Sequence, residues 1–123
     1  MRIEKKVGRH GIVLDATSIG SDLLVVIHGG DEHHIGAVSV AYPAKSPYRE
    51  DNSVSLNTLT LPGHRDYVVA NSAAEKICKA IGVVTTVVAG IHMDKASRDE
   101  IEGAVKAVDL MVEEMIARFK KTT

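Results

Sequence analysis

Apolar and polar residues alternate through the first half of the chain. "RIEKKV", "IVLDATSI", "LLVVIHGG", "IGAVSVAY" and, after a polar break, "VSLNTLTL" carry apolar side chains at roughly every second position, the spacing that gives a strand one buried and one wetted face. Five short strands are predicted. "DATSIGSD" supplies turn residues between the second and third, and "GGDEHH" is a glycine-rich link of hairpin length between the third and fourth, so successive strands are expected to pair antiparallel. "PAKSPYREDNS", with two of the three prolines, reads as a surface loop of 11 residues, long enough to serve as a lid or a partner contact.

After "LPGHRD" the period changes. Tyr67, Ala70, Ala73, Ala74, Ile77, Ala80 and Ile81 recur at helical spacing, and Gly82 stands where a glycine ends a helix. "VVTTVVAGI" is apolar and largely β-branched, which predicts a sixth, central strand covered on both faces. Ser97 and Glu100 form the S-x-x-E box that opens a second helix. Ile101, Val105, Val108, Val112, Met115 and Phe119 then mark one apolar stripe. The order βββββαβα is that of an α+β fold: a largely antiparallel sheet of about six strands with two helices packed on one face. The other face is left open, and sheet-on-sheet packing in a homodimer is the expected way to close it.

Composition sets bounds on function. At 123 residues the chain is expected to be a single domain, residues 1–123. Apolar residues make up 45% and charged residues 25%, the balance of a soluble globular protein. The net charge is −1 with scattered basic residues, which argues against nucleic acid and against membrane surfaces as partners. No apolar run is long enough to span a membrane and "MRIEKKVGRHG" lacks a signal-peptide core, so a cytoplasmic location is expected. Cys78 is the only cysteine and falls inside the first helix, so any metal site must use His and carboxylates. Elbow serines and glycine-rich phosphate loops are absent, which disfavours familiar hydrolase, kinase and dehydrogenase chemistry.

Candidate chemistry gathers at "HGGDEHHIG" (28–36), "PGHRDY" (62–67) and "GIHMDKAS" (90–97), each a turn bearing histidine. Neutral imidazole is a common ligand for divalent metals, and histidines at strand ends can converge in space, although no H-E-x-x-H spacing is present. A hydrogen-bonded turn residue is the competing reading for each. His33 and His34, being adjacent, are expected to face opposite ways. His28 continues the face of Leu24 and Val26 and reads as half-buried scaffold, and His10, beside Gly8 and Gly11, as a surface residue. In "PGHRD", Gly63, Arg65 and a helix N-terminus can cradle a phosphate; alternatively Asp66 caps the helix and Arg65 is solvated.

"DLLVVIHGG" running into "HIGAVSVAYP", then "LPGHRD", then "VVTTVVAGIHMDKASRDEI" is similar, in that order over most of residues 22–118, to the prenylated-flavin chaperones known as LpdD-like, small accessory proteins of gallate and other UbiD-type aromatic acid decarboxylase systems. The resemblance implies a homodimeric, non-enzymatic carrier that binds prenylated FMN and helps deliver it to, or mature, a UbiD-type decarboxylase. On that basis His34, Gly36, Ala37, His64, Arg65, His92 and Asp94 are the candidate cofactor-binding residues. "GAV" would help form a flavin slot and "PGHR" a phosphate seat, while a divalent metal held by His34, His64 and His92 would bridge to the cofactor phosphate. The topology also resembles small proteasome-assembly chaperones, which are dimeric interaction proteins without cofactor. A small metal-dependent enzyme component is the remaining alternative.

Overall fold

A computed structural model describes residues 1–44, 53–62 and 66–122. The elements follow the expected order: β1 (Arg2–Val7), β2 (His10–Ile19), β3 (Asp22–Gly30), β4 (Glu32–Ala44), β5 (Ser53–Thr60), α1 (Tyr67–Ile81), β6 (Thr85–His92) and α2 (Arg98–Thr122). Most of the 11-residue loop proposed from sequence falls in 45–52, outside the described residues. Among the described residues, no helix is long and apolar enough to cross a membrane.

The six strands form one sheet in the order β1-β2-β3-β6-β4-β5. β3 and β4 are therefore not the hairpin pair that "GGDEHH" suggested. β6 lies between them, parallel to β3 (Val25 opposite Val87, Ile27 opposite Ala89) and antiparallel to β4 (Ser39 opposite Val87). The physical reason lies in the strand sequences. β6 is the uncharged, β-branched segment "TTVVAGI", suited to the centre of the sheet, whereas β3 and β4 each have an apolar face to offer it.

Both helices lie on one face. Leu14, Val25, Ile27, Ala37, Ala41, Val87 and Ala89 point into a core closed by Ala70, Ala73, Ala74 and Ile77 of α1 and by Ala104, Val108, Met111, Val112 and Met115 of α2. Small alanines on α1 let the helix sit close to the sheet. Asn71 is its polar anchor, with Oδ1 accepting hydrogen bonds from the hydroxyls of Ser39 (2.6 Å) and Thr58. Cys78 is buried in this layer, and burial raises its thiol pKa. On α2 Val108, Val112 and Met115 of the expected stripe are buried, joined by Ala104, Ala107 and Met111, while Ile101 at its start is 52% exposed.

The opposite face of the sheet carries no helix. Across it run Val26, Val88, Val38 and Leu59, in register on β3, β6, β4 and β5. The three valines are half-buried and Leu59 is exposed. The expectation that β6 is covered on both faces thus holds only on the helix side within one chain.

Helix ends follow their sequence signals. Gly82 adopts the left-handed conformation (φ 80°) that closes α1, with its N–H donating to the Cys78 carbonyl. Ser97 and Glu100 exchange hydrogen bonds, each backbone N–H donating to the other's side chain at 3.1 Å. Those bonds also hold the Glu100 carboxyl below its usual pKa. Replacing Ser97 by Ala should lower unfolding free energy by about 1 kcal/mol, read from urea denaturation, without altering the far-ultraviolet spectrum of the folded state.

Candidate functional site

Strand β4 is irregular where it meets β6. His33 lies opposite Ile91 and Ala37 opposite Ala89, so β4 spends four steps where β6 spends two. The surplus, at His34–Gly36, bulges out of the ladder and re-aims its side chains. Two glycines make room for it. A side chain on Gly90 would strike the backbone carbonyl of His34, and one on Gly36 would strike the carboxylate of Asp66. With both absent, the bulge folds over β6 and Asp66 reaches under it.

Asp66 precedes α1 but makes no side-chain capping bond. Its Oδ1 accepts the N–H of Ile91 at 3.0 Å and its Oδ2 lies 3.5 Å from Nε2 of His34. The carboxylate is 8% exposed. The capping reading of Asp66 gives way to a stronger demand, since the Ile91 N–H beside the bulge needs an acceptor. Asp66 thereby links α1, β4 and β6 at one point.

His34 and His92 meet edge to face, with ring centroids 6.1 Å apart. His92 Nε2 lies 2.9 Å from Asp94 Oδ1. Behind them Asp31, in the turn between β3 and β4, gathers two other segments. Its carboxylate accepts the N–H of Asp94 at 2.8 Å, lies 3.0 Å from Nε2 of His10 and takes two bonds from Arg9. The Asp94 N–H, and after it His10 and Arg9, hold the Asp31 carboxyl below its usual pKa. His10 is therefore not the surface residue expected from its glycine neighbours. It is 3% exposed, with Glu100 3.9 Å from its other ring nitrogen.

His33 and His34 do face opposite ways, with His34 toward Asp66 and His33 toward His28 on β3. His28 is half-buried, as expected from its place on the face of Leu24 and Val26. Gly36 and Ala37 do not line an open slot. Ala37 is fully buried in the helix-side core and Gly36 is packed against Asp66, so both shape the site from behind. His64 and Arg65 lie outside the described residues. Among the described residues, no three His, Cys, Asp or Glu side chains converge to hold a metal ion.

Beside this cluster a groove of about 390 Å³ opens between α1, the end of β6 and the start of α2. Val68, Val69, Ile91, Met93, Ile101 and Val105 give it apolar walls, and Asp66 and His92 form its polar side. The volume is within the range of small-ligand sites, and a mostly apolar lining with a few fixed polar groups is their usual make-up. Sequence reasoning assigned Ile101 and Val105 to the core stripe and did not see the groove. Their spacing alone carries no sign that α2 turns its first residues away from the sheet.

Residues 6–120 match the family profile of the prenylated flavin chaperone LpdD-like domain. The chain belongs to that family. Protein LpdD of Lactiplantibacillus plantarum (strain ATCC BAA-793 / NCIMB 8826 / WCFS1) is 27% identical over 99 residues, which cover 80% of this chain and 70% of that protein. The family and this relative support a prenylated-flavin chaperone role, a role that implies a partner protein and points to an accessory rather than a catalytic function. The fold is also that of a crystallised chaperone complex for yeast 20S proteasome assembly, with a TM-score of 0.53 at 11% identity over 98% of this chain and 95% of the other. That likeness concerns architecture alone. In this LpdD-like chain His92 and Asp66 line one side of the apolar groove.

Asp31 supplies a test of how the turns are held together. Because its carboxyl is held below the ordinary value of 3.8 in the fold, its contribution to stability is complete above that value and is lost as pH falls through the lowered one. Asp31→Asn should therefore flatten the acid limb of the stability profile, measured by denaturant titration at a series of pH values. An acid limb unchanged from the parent would exclude this carboxylate as its source.

Proposed function

We propose that this chain is a carrier that binds prenylated FMN in the groove between α1, β6 and α2 and helps deliver it to, or mature, a UbiD-type aromatic acid decarboxylase, with no catalysis of its own. Family membership over residues 6–120 carries the reading. The groove supports it, since a mostly apolar wall with one carboxylate and one imidazole suits a flat, partly hydrocarbon ring whose polar edge needs hydrogen bonds. Among the groove's described lining residues Asp66 is the only carboxylate, and it would repel a phosphate. The phosphate is therefore assigned to the turn from Pro62 to Asp66, where His64 and Arg65 stand in sequence.

When bound in its partner, the flavin supplies the decarboxylation chemistry, so the carrier has only to bind, orient and shield. His34 and His92 are proposed to face the bound cofactor, with Asp94 orienting His92 and Asp66 orienting His34. A divalent ion bridging His34, His64 and His92 to the phosphate belongs to the same reading. Metal retained by the purified cofactor complex in elemental analysis would support it, and a metal-free complex would remove it. The cytoplasm is the proposed location.

The open sheet face supports a homodimer. Val26, Val88, Val38 and Leu59 form an apolar row that a second copy can cover by sheet-on-sheet packing. Val26→Glu should convert the expected dimer to a monomer in light scattering, and a dimer that survives the substitution would exclude this face. A cofactor-free assembly chaperone is the second reading, to which the shared architecture with the proteasome-assembly complex lends support.

Gel filtration separates the two. Mixed with reduced prenylated FMN, the chain should elute with a flavin spectrum, whereas elution without flavin would favour the protein-only reading. Ile101, half-exposed at the groove, allows a direct test of location. Ile101→Glu should weaken flavin retention about tenfold, equivalent to ~1.4 kcal/mol, with the denaturation midpoint unchanged. Retention equal to the parent would place the cofactor elsewhere.

A further inference from the structure

The bulge that turns His34 toward Asp66 sends its neighbour the other way. His33 crosses β6 on the side away from Asp66 and meets His28 of β3, with the two Nδ1 atoms 2.6 Å apart and ring centroids 4.9 Å apart at 60°. Gly90 is the β6 residue paired with His28, and the His34 carbonyl packs against it. Neither ring belongs to the groove lining.

We propose that His28 and His33 form a two-imidazole site for a borderline divalent transition metal, of the class Cu²⁺, Ni²⁺ or Zn²⁺. Two nitrogens at hydrogen-bond distance share one proton, so one ring holds it on Nδ1 and the other offers a lone pair. For metal to bind, the first ring moves its proton from Nδ1 to its own Nε2 through solvent, and both Nδ1 lone pairs then point at one place. Metal–nitrogen bonds of about 2.0–2.1 Å at square-planar or tetrahedral angles put the two nitrogens about 2.9–3.4 Å apart. From 2.6 Å the two nitrogens need to separate by about 0.3–0.8 Å.

The ligand type selects the ion. Imidazole nitrogen suits copper, nickel and zinc, whereas calcium and magnesium require oxygen donors. His33 also borders a shallow hollow lined by Glu4, Lys5 and Lys6. The lysines oppose an incoming cation and Glu4 favours it, but these exposed charges are screened by solvent and do not outweigh two coordinate bonds. Neither residue is among the proposed flavin-linked ligands His34, His64 and His92, and the proposal stands or falls independently of the carrier reading.

Copper is the most sensitive probe because it binds nitrogen ligands most tightly of the series. Cu²⁺ titrated into the full chain at neutral pH, followed by electron paramagnetic resonance, should show one equivalent bound with hyperfine splitting from two equatorial imidazole nitrogens. His28→Gln and His33→Gln should each reduce that affinity by at least ~10-fold, the loss ordinarily seen even when only a residue supporting a ligand is removed. Urea midpoints of the variants check that all remain folded. A two-nitrogen signal that persists in the His28→Gln, His33→Gln double variant would overturn the proposal. So would a parent protein that shows only single-nitrogen binding.

Discussion

The close passage of β4 over Gly90 is the constraint on which the rest of the structure depends. A carbonyl occupies the space that any side chain at that position would need. Because it does, the ladder between β4 and β6 can absorb two extra residues, beside consecutive histidines that strand alternation sends to opposite sides of the sheet. One faces Asp66, and the other faces His28 of β3. A regular ladder would have kept the strand pleated through this stretch, with no slack to carry a ring across β6.

Electrostatics then fixes what the bulge has placed. Asp66 gives up the capping role that its position before a helix invites and instead satisfies the Ile91 N–H while lying against His34. A nearly buried carboxylate is costly unless it is hydrogen-bonded, and the backbone donor offsets that cost. Asp31 has a similar effect at the surface, collecting the β1–β2 turn through Arg9 and His10 and the loop after β6 through the Asp94 N–H. The segments that meet near the end of β6 are thereby tied to carboxylates from two different turns.

The element order was legible in the sequence because each element depends on near neighbours. Alternation, the Ser97–Glu100 box and Gly82 all act within a few residues, and the structure follows them. Strand adjacency was not legible. "GGDEHH" has the length and composition of a hairpin, and only the competing appetite of β6 for two apolar neighbours shows why no hairpin forms. The site was legible in part. The split between His33 and His34 followed from strand geometry, and the family motifs pointed to the turns. Asp66 as a tertiary acceptor, the buried His10 and the groove at Ile101 depend on contacts between residues tens of positions apart, which no local pattern encodes.

The late arrival of β6 in the chain also bears on how the molecule folds. The strand at the middle of the sheet is the last strand in sequence, so β1-β2-β3 and β4-β5 can each assemble as a local meander but cannot join until residues 85–92 are available. The parallel partners Leu23 and Thr85 must find each other across the whole intervening chain. Pairings of such sequence separation slow folding, because loop closure costs entropy before contacts repay it. Until then both half-sheets present bare central edges, and the nascent protein is itself a client for protection against edge-to-edge association.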